Sequence, residues 1–235
     1  MLENYVVIDL EMTGLNAKTD VILEVGAVRV REGSVTDTYG ALICTGRELS
    51  PKVIELTGIT QEMTDAGEKP ETVMEAFFSF VGEDILVGQN VIFDYSFLKQ
   101  WAVNHSFLFE RNAVDTLKLA RLFLPKEQKK DLESLCAYFE VKRENAHRAL
   151  DDALATQEIM ERLKAVYGEG HAEAFLPYPL QYKAKKQTPA TGRQIEYLKR
   201  YAAYYNIELP KSLDLLTRSE ASRLTDQLIA KHGKM

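Results

Sequence analysis

The stretch "VVIDLEMTGL", residues 6–15, decides how the chain is read. Val6, Val7, Ile8 and Leu10 are the residues of a core strand. Asp9 and Glu11 interrupt them. Residues two apart on a strand point to the same face, about 6.6 Å from one another along the chain. The two carboxylates therefore project side by side, where like charges repel and burial adds to the cost. Two explanations are open from the pair alone. The strand is an edge with a wet face, or a cation sits between the acids. A divalent metal takes oxygen ligands and would reverse the sign of the problem.

Composition narrows the class. The chain has 235 residues, 46% hydrophobic and 27% charged, which suits a soluble globular protein of one large domain or one medium domain with an appendage. No run of about 18 apolar residues occurs, so no membrane span and no membrane partner are expected. The N-terminus has no basic region followed by an apolar stretch. Cys44 and Cys136 lie in apolar surroundings and read as reduced core cysteines, so a cytoplasmic location is expected. The net charge of −6 hides an asymmetry: residues 1–182 hold 18 Lys+Arg against 30 Asp+Glu, and residues 183–235 hold 11 against 5. A basic tail on an acidic body suggests two modules and a polyanionic partner.

Outward from the opening strand, "VILEVGAVRVREGSVTDTYGALI" alternates on both sides of "REGS" and predicts a hairpin turning near Gly33. "LSPKVIELTGIT" and "PETVMEAFFSFVG" read as helices, the second with a stripe of Val73, Ala76, Phe77 and Phe80. "DILVGQN" is a short apolar strand ahead of the helical "VIFDYSFLKQWAVN". "AVDTLKLARLF", "DLESLCAYFEV" and "NAHRALDDALATQEIMERLKAVY" are helical in period. An antiparallel meander followed by strand–helix alternation predicts an α/β fold, a mixed sheet flanked by helices. Residues 1–170 form the main domain, and 171–189, with three prolines and a lysine cluster, have linker composition. Residues 190–235 form a small basic all-helical module, whose helices start at the capping boxes Thr191–Gln194 and Thr217–Glu220.

Further acids stand at element ends. Asp94 lies at a strand–helix junction in "GQNVIFDYSFL", and His147, Asp151 and Asp152 lie in "NAHRALDDALAT". Functional groups collect at such places in sheet proteins. Together "VVIDLEMTGLN", "VGQNVIFDYSFL" and "NAHRALDDALAT" resemble the three motifs of the DnaQ-like 3′→5′ exonucleases, the DEDDh group. "AVDTLKLARLFLP" and "DLESLCAYFEV" are similar to the proofreading domains and epsilon-type subunits of DNA polymerase III. The resemblance covers about residues 4–167. It implies a ribonuclease-H-like fold, two bound Mg²⁺ ions with Mn²⁺ able to substitute, and release of nucleoside 5′-monophosphates from a nucleic-acid 3′ end.

The family's metal ligands map onto Asp9, Glu11, Asp94 and Asp152, and its general base onto His147. The choice between the two aspartates has a helical argument beside it. Asp151 shares a stripe with Arg148, Ala155, Glu158 and Arg162, a solvent face, whereas Asp152 shares one with Ala149, Thr156, Ile159 and Leu163. The inward Asp152 also fits the family's H-x-x-x-x-D spacing. Five residues along a helix turn about 140°, so His147 is expected on the preceding loop, with Asn145 available as a cap. Thr13, Gly14 and Leu15 match the stretch that meets the terminal nucleotide, and Asn90 matches a position near the substrate. Gln89 departs from the family, where His is frequent. Asp115 is expected to be structural.

In the tail, Arg193, Lys199, Arg200, Arg218 and Arg223 are interleaved with Tyr197, Tyr201, Tyr204 and Tyr205. That suits a single-strand grip and equally a helical core stripe with a charged surface. The expected substrate is DNA, with single-stranded or frayed ends, and a DNA polymerase acting in trans is a candidate partner. RNA 3′-end trimming and a non-catalytic nucleic-acid-binding module are the alternatives.

Overall fold

The period-2 alternation of the opening strand organises the molecule. The computed structural model describes residues 2–143, 145–210 and 212–235. Strand β1 (Tyr5–Met12) pairs antiparallel with β2 (Ile22–Arg31), which pairs antiparallel with β3 (Ser34–Leu42). The hairpin turns at Glu32 and Gly33, whose φ angles of 52° and 74° suit a two-residue turn matched to strand twist. β4 (Leu86–Gly88) lies parallel to β1 on its other side, and β5 (Asn112–Asp115) parallel to β4. β6 (Tyr178–Pro179) closes the order β3-β2-β1-β4-β5-β6. The mixed sheet expected from the meander and the strand–helix alternation is present.

Helices cover both faces. Val6, Ile8 and Leu10 of β1 belong to one core with α3 (Pro70–Val81) and α4 (Ile92–Asn104), through Val73, Met74, Phe77, Tyr95 and Leu98. Tyr5 and Val7 belong to a second core with α5 (Thr116–Phe123), α6 (Leu132–Phe139) and α7 (Ala149–Tyr167), through Leu119, Leu135, Ile159 and Leu163. By alternation Asp9 and Glu11 continue the Tyr5–Val7 face. They emerge where the helical cover runs out, at the start of α7.

Several local expectations change. "LSPKVIELTGIT" is two short helices, α1 (Pro51–Thr57) and α2 (Gln61–Asp65), broken at Gly58, whose φ is 67°. In α3, Ala76 is exposed and Met74 and Val81 complete the buried stripe. "AVDTLKLARLF" is not helical throughout: Ala113 and Val114 are buried in β5, and Asp115 caps α5 by accepting from Leu117 N at 2.9 Å. Residues 171–189, of linker composition, carry a 3-10 turn (Ala172–Phe175) and β6, and bury Phe175 and Leu180 in the cores of the body. Helices α8 (Gly192–Tyr205) and α9 (Arg218–His232) both start with the expected capping boxes and pack through Leu198, Leu213 and Ala221. Cys44 and Cys136 are free thiols. No helix among the described residues is long and apolar enough to cross a membrane.

Gly26 of β2 sets how closely α7 approaches the sheet. A Cβ there would stand 2.3 Å from the carbonyl carbon and oxygen of Ala149. Backbone cannot yield as a flexible side chain can, so Gly26→Ala must push the first turn of α7 outward. We expect a loss of about 1–3 kcal/mol in urea unfolding. A variant as stable as the parent would show that α7 is not seated on this glycine.

Candidate active site

Three separated segments meet at the carboxyl end of β1. Asp9 and Glu11 come from that strand. Asp94 comes from the first turn of α4, is buried, and accepts a hydrogen bond from the Leu10 backbone N–H through Oδ1 at 3.0 Å. This bond pins α4 to β1 between the two strand acids. Asp152 comes from the first turn of α7 and is buried with Ala149, Thr156, Ile159 and Leu163, the face its sequence spacing predicts. The neighbouring Asp151 is half-buried, and its stripe is less solvated than expected, since Ala155 is buried and Arg148 is engaged with Glu24. His147 lies outside the helix, exposed, with φ 63°. One ligand atom each from Glu11, His147 and Asp152 lie within 4.8 Å of one another. Asp9, Glu11, Asp94, His147 and Asp152 line one cleft of about 420 Å³, together with Arg143, Asp131 and Glu133.

Crowding acids into a sheltered cleft disfavours their ionised forms. Burial, then the charges of Asp94, Asp152 and Glu11, hold the Asp9 carboxyl well above the usual carboxylate range. Burial and the charge of Asp152 push Glu11 up to about 8. Burial pushes Asp94 up to about 7 against the opposing backbone hydrogen bonds. Burial also raises Asp152, although Arg143 and His147 act the other way.

Two residues that the sequence reading passed over, Arg143 and Glu24, hold this arrangement. Arg143 pairs through Nε and Nη2 with the two Asp152 oxygens, both partners nearly buried, with side chains 10% and 7% exposed. Glu24 lies opposite Glu11 in the β1–β2 register. It accepts from Arg148, with Nη2–Oε1 at 2.6 Å and Nε–Oε2 at 3.1 Å, and from the Ala149 backbone N–H at 3.0 Å. Glu24 thus supplies, from across the sheet, the acceptor at the first turn of α7 that Asn145 was expected to provide as a cap. The signal was a lone acid inside the apolar run "VILEVGAV".

None of the four residues matched to substrate contact is among those that line the cleft. Thr13 and Asn90 directly follow Met12 and Gln89, which line it. Thr13 closes the loop after β1 with Val21: the backbone N–H donates to Val21 O at 3.0 Å, and Oγ1 accepts from Val21 N at 3.0 Å. Gly14 is required by a neighbour, since a Cβ would meet the Asp20 carboxylate at 2.5 Å. Leu15 is 84% exposed, an apolar side chain standing free at the end of the loop. Asn90 has φ 61°, and its N–H donates to Asp115 Oδ1 at 3.0 Å, which gives Asp115 a structural task beyond its cap. Gln89 is also structural here: Oε1 accepts from Thr116 Oγ1 at 2.6 Å and Nε2 donates to Lys130 O at 2.6 Å. The loop is braced from behind by the C-terminal part of the chain. Arg47 Nη1 donates to Thr19 O at 3.1 Å and to Glu220 Oε1 of α9 at 3.2 Å, and Gln187 Nε2 donates to Lys18 O.

The raised carboxyls fix a sign. Each binds its proton more tightly folded than unfolded, so its stabilising contribution is full below the unfolded value and is lost as pH rises through 7 to 8, where Asp94 and Glu11 ionise. In EDTA, the thermal midpoint should fall between about pH 5 and about pH 9. Asp9→Asn should flatten that fall by removing one of the mutually repelling charges. A midpoint that climbs over the same range would contradict the assigned environment.

The sequence model of the exonuclease family RNase_T matches residues 6–160. The PolC-type DNA polymerase III of Clostridium perfringens is 35% identical over 159 residues, which is 68% of this chain and 11% of that polymerase. The chain thus spans about a tenth of the length of that relative. Exonuclease X, solved in complex with 5′ overhanging duplex DNA, aligns with a TM-score of 0.59 at 24% identity, covering 73% of this chain and 96% of that one. The nuclease domain of 3′hExo, a DEDDh family member bound to rAMP, aligns with a TM-score of 0.62 at 18% identity, covering 76% and 98%. At these identities the two structures establish the shared ribonuclease-H-like fold. With the family match over residues 6–160 and the polymerase relative, the chain belongs to the DnaQ-like, DEDDh exonuclease family.

Proposed function

We propose that the protein is a two-metal 3′→5′ exonuclease that hydrolyses the terminal phosphodiester of DNA and releases nucleoside 5′-monophosphates. The observation that carries this reading is the convergence of Asp9, Glu11, Asp94 and Asp152 on one cleft where burial raises every one of their pKa values. A divalent cation between the four acids would turn their mutual repulsion into attraction. The donor set fits hard divalent ions: four carboxylates would hold two Mg²⁺, and Mn²⁺ accepts the same oxygens. When bound, such ions supply Lewis-acid polarisation of the phosphoryl group and charge stabilisation for the leaving oxygen.

The chain's own groups account for the remaining steps. His147, exposed at the mouth and close to Glu11 and Asp152, takes the proton of the attacking water at an imidazole nitrogen. The left-handed backbone at His147 turns the chain sharply into α7 and is a candidate for strain kept for function. Thr13, Gly14 and Leu15 would receive the terminal nucleotide, with the free Leu15 side chain against a base, and Asn90 would lie near the substrate. Similarity to PolC-type DNA polymerase III favours DNA as substrate and makes a DNA polymerase acting in trans a candidate partner. The fold shared with a nuclease domain bound to rAMP keeps RNA 3′-end trimming as the second reading. The location proposed is cytoplasmic.

Digestion of 5′-labelled DNA and RNA oligonucleotides of matched sequence tests the proposal. We expect a ladder shortening from the 3′ end with Mg²⁺ or Mn²⁺ and none in EDTA, with DNA cut faster. Shortening that persists in excess EDTA would sink the two-metal account.

Asp9→Ala, Glu11→Ala, Asp94→Ala and Asp152→Ala should each lower the rate by at least about 10³, whereas Asp151→Ala should keep most of it. Stability should separate the variants. Asp9→Ala relieves repulsion, but Asp152→Ala leaves Arg143 without its partner. That should cost on the order of 2 kcal/mol, less than a fully buried orphan charge because Arg143 borders an open cleft. A dead Asp151→Ala beside a live Asp152→Ala would show that the wrong acid was chosen.

As general base His147 must be neutral when water attacks. The rate should rise with pH through one ionisation to a neutral or alkaline optimum. His147→Ala should lose that limb and most of the rate while retaining metal binding in calorimetry. Near-normal turnover in the variant, or lost metal binding, would mean the base is assigned to the wrong residue.

A further inference from the structure

The C-terminal module resolves the ambiguity of its tyrosines. Tyr201 is core: it is buried, and its hydroxyl donates to Leu228 O of α9 at 3.0 Å. Leu198 and Ala202 are buried on the same side of α8. An adjoining face carries Arg193, Tyr197, Arg200 and Tyr204, spaced four, three and four residues apart, a helical stripe in which the Tyr197 ring lies 6.1 Å from that of Tyr201. Its eleven-residue span corresponds to about 16 Å along the axis. Arg193 and Arg200 are exposed, Tyr197 is half-buried and Tyr204 is 70% exposed. Glu196 borders the stripe, and the exposed Lys199 lies further round the helix. Among the described residues, neither arginine nor Lys199 takes part in an ion pair, whereas seven of the eight arginines of the body do, Arg121 being the exception.

We propose that this face of α8 is a second nucleic-acid site, a grip for single-stranded nucleic acid in which Arg193 and Arg200 hold phosphates and Tyr197 and Tyr204 stack on bases. Alternation of cation and ring along a line is what a single strand presents in complement, a phosphate and a base at each step. Charge assigns the partner. The body, with 18 Lys+Arg against 30 Asp+Glu, repels a polyanion, and the module, with 11 against 5, attracts one. A strand held on α8 raises the concentration of its own 3′ end near the cleft without taking part in hydrolysis. The inference rests on the exonuclease reading for its purpose and not for its test.

The test is fluorescence anisotropy of a labelled 20-mer oligo-dT with the full chain in EDTA, where no hydrolysis intervenes, over a range of NaCl. Arg193→Gln/Arg200→Gln should weaken binding at least tenfold at low salt and reduce the slope of log Kd against log salt by about 1.4, two phosphate contacts at about 0.7 each. Tyr204→Ala should weaken binding about fivefold or more with the slope unchanged. Both variants should melt like the parent, since the substituted side chains lie outside the core. They should also hydrolyse the p-nitrophenyl ester of thymidine 5′-monophosphate at the parent rate, because that substrate is too small to reach α8. Unchanged affinity and slope in folded variants overturn the grip, as does a parent protein that does not bind the oligonucleotide. Equal competition by duplex DNA overturns the stacking contribution and with it the single-strand assignment. Altered binding with an ester that no variant and no parent hydrolyses would leave the grip standing and remove the catalytic reading instead.

Discussion

Repulsion among Asp9, Glu11, Asp94 and Asp152 is the constraint around which the rest of the protein is built. Left to themselves these groups would move apart or draw water between them. Each is prevented from doing so by a different restraint. The β1–β2 ladder holds Asp9 and Glu11 on one face, and the Leu10 N–H bond to Asp94 draws α4 in. Glu24 fastens the start of α7 through Arg148 and the Ala149 N–H, while Gly26 leaves room for that backbone to come close. Arg143 offsets one of the four charges. The stability of the two apolar cores, with β1 contributing to both, is what the cluster draws upon.

The parts of this arrangement legible in the sequence were those with a local signature. Asp9 and Glu11 stood out because a period-2 apolar run cannot absorb two acids on one face. Asp152 was separable from Asp151 because a helix has an inside, and the neighbours at i+4, i+7 and i+11 marked it. The two capping boxes of the tail were visible as four-residue patterns and are present as such. Hidden features were those in which a residue's partner is remote. Arg143 reads as an ordinary loop arginine until α7 brings Asp152 to it. Glu24 reads as an imperfection in a strand until the register places it under the first turn of a helix 125 residues later. β5 and β6 escaped for a related reason: four and two residues are too short to show a period, and they become strands because an open sheet edge is there to receive them. Strand pairing depends on context more than helix formation does.

The body and the tail divide the electrostatic work. An acidic domain that gathers carboxylates is well made for cations and poorly made for a polyanion. The cations of α8, which make no ion pair among the described residues, belong to the part of the chain where the sign is reversed. Arg143, by contrast, sits among those acids and is tied to one of them, so a cation inside the cleft and cations outside it have different tasks.

Glu220 belongs to two structures at once. It completes the capping box that starts α9, accepting from the Thr217 N–H at 2.7 Å, and it receives Arg47, which also holds the Thr19 carbonyl of the loop bearing Leu15. Order in the loop and order in the tail are therefore linked variables. Linkage is reciprocal. Whatever free energy the folded tail contributes to ordering the loop, a nucleotide that orders the loop returns to the tail. Anything that ordered the loop would, by the same linkage, raise the module's resistance to unfolding.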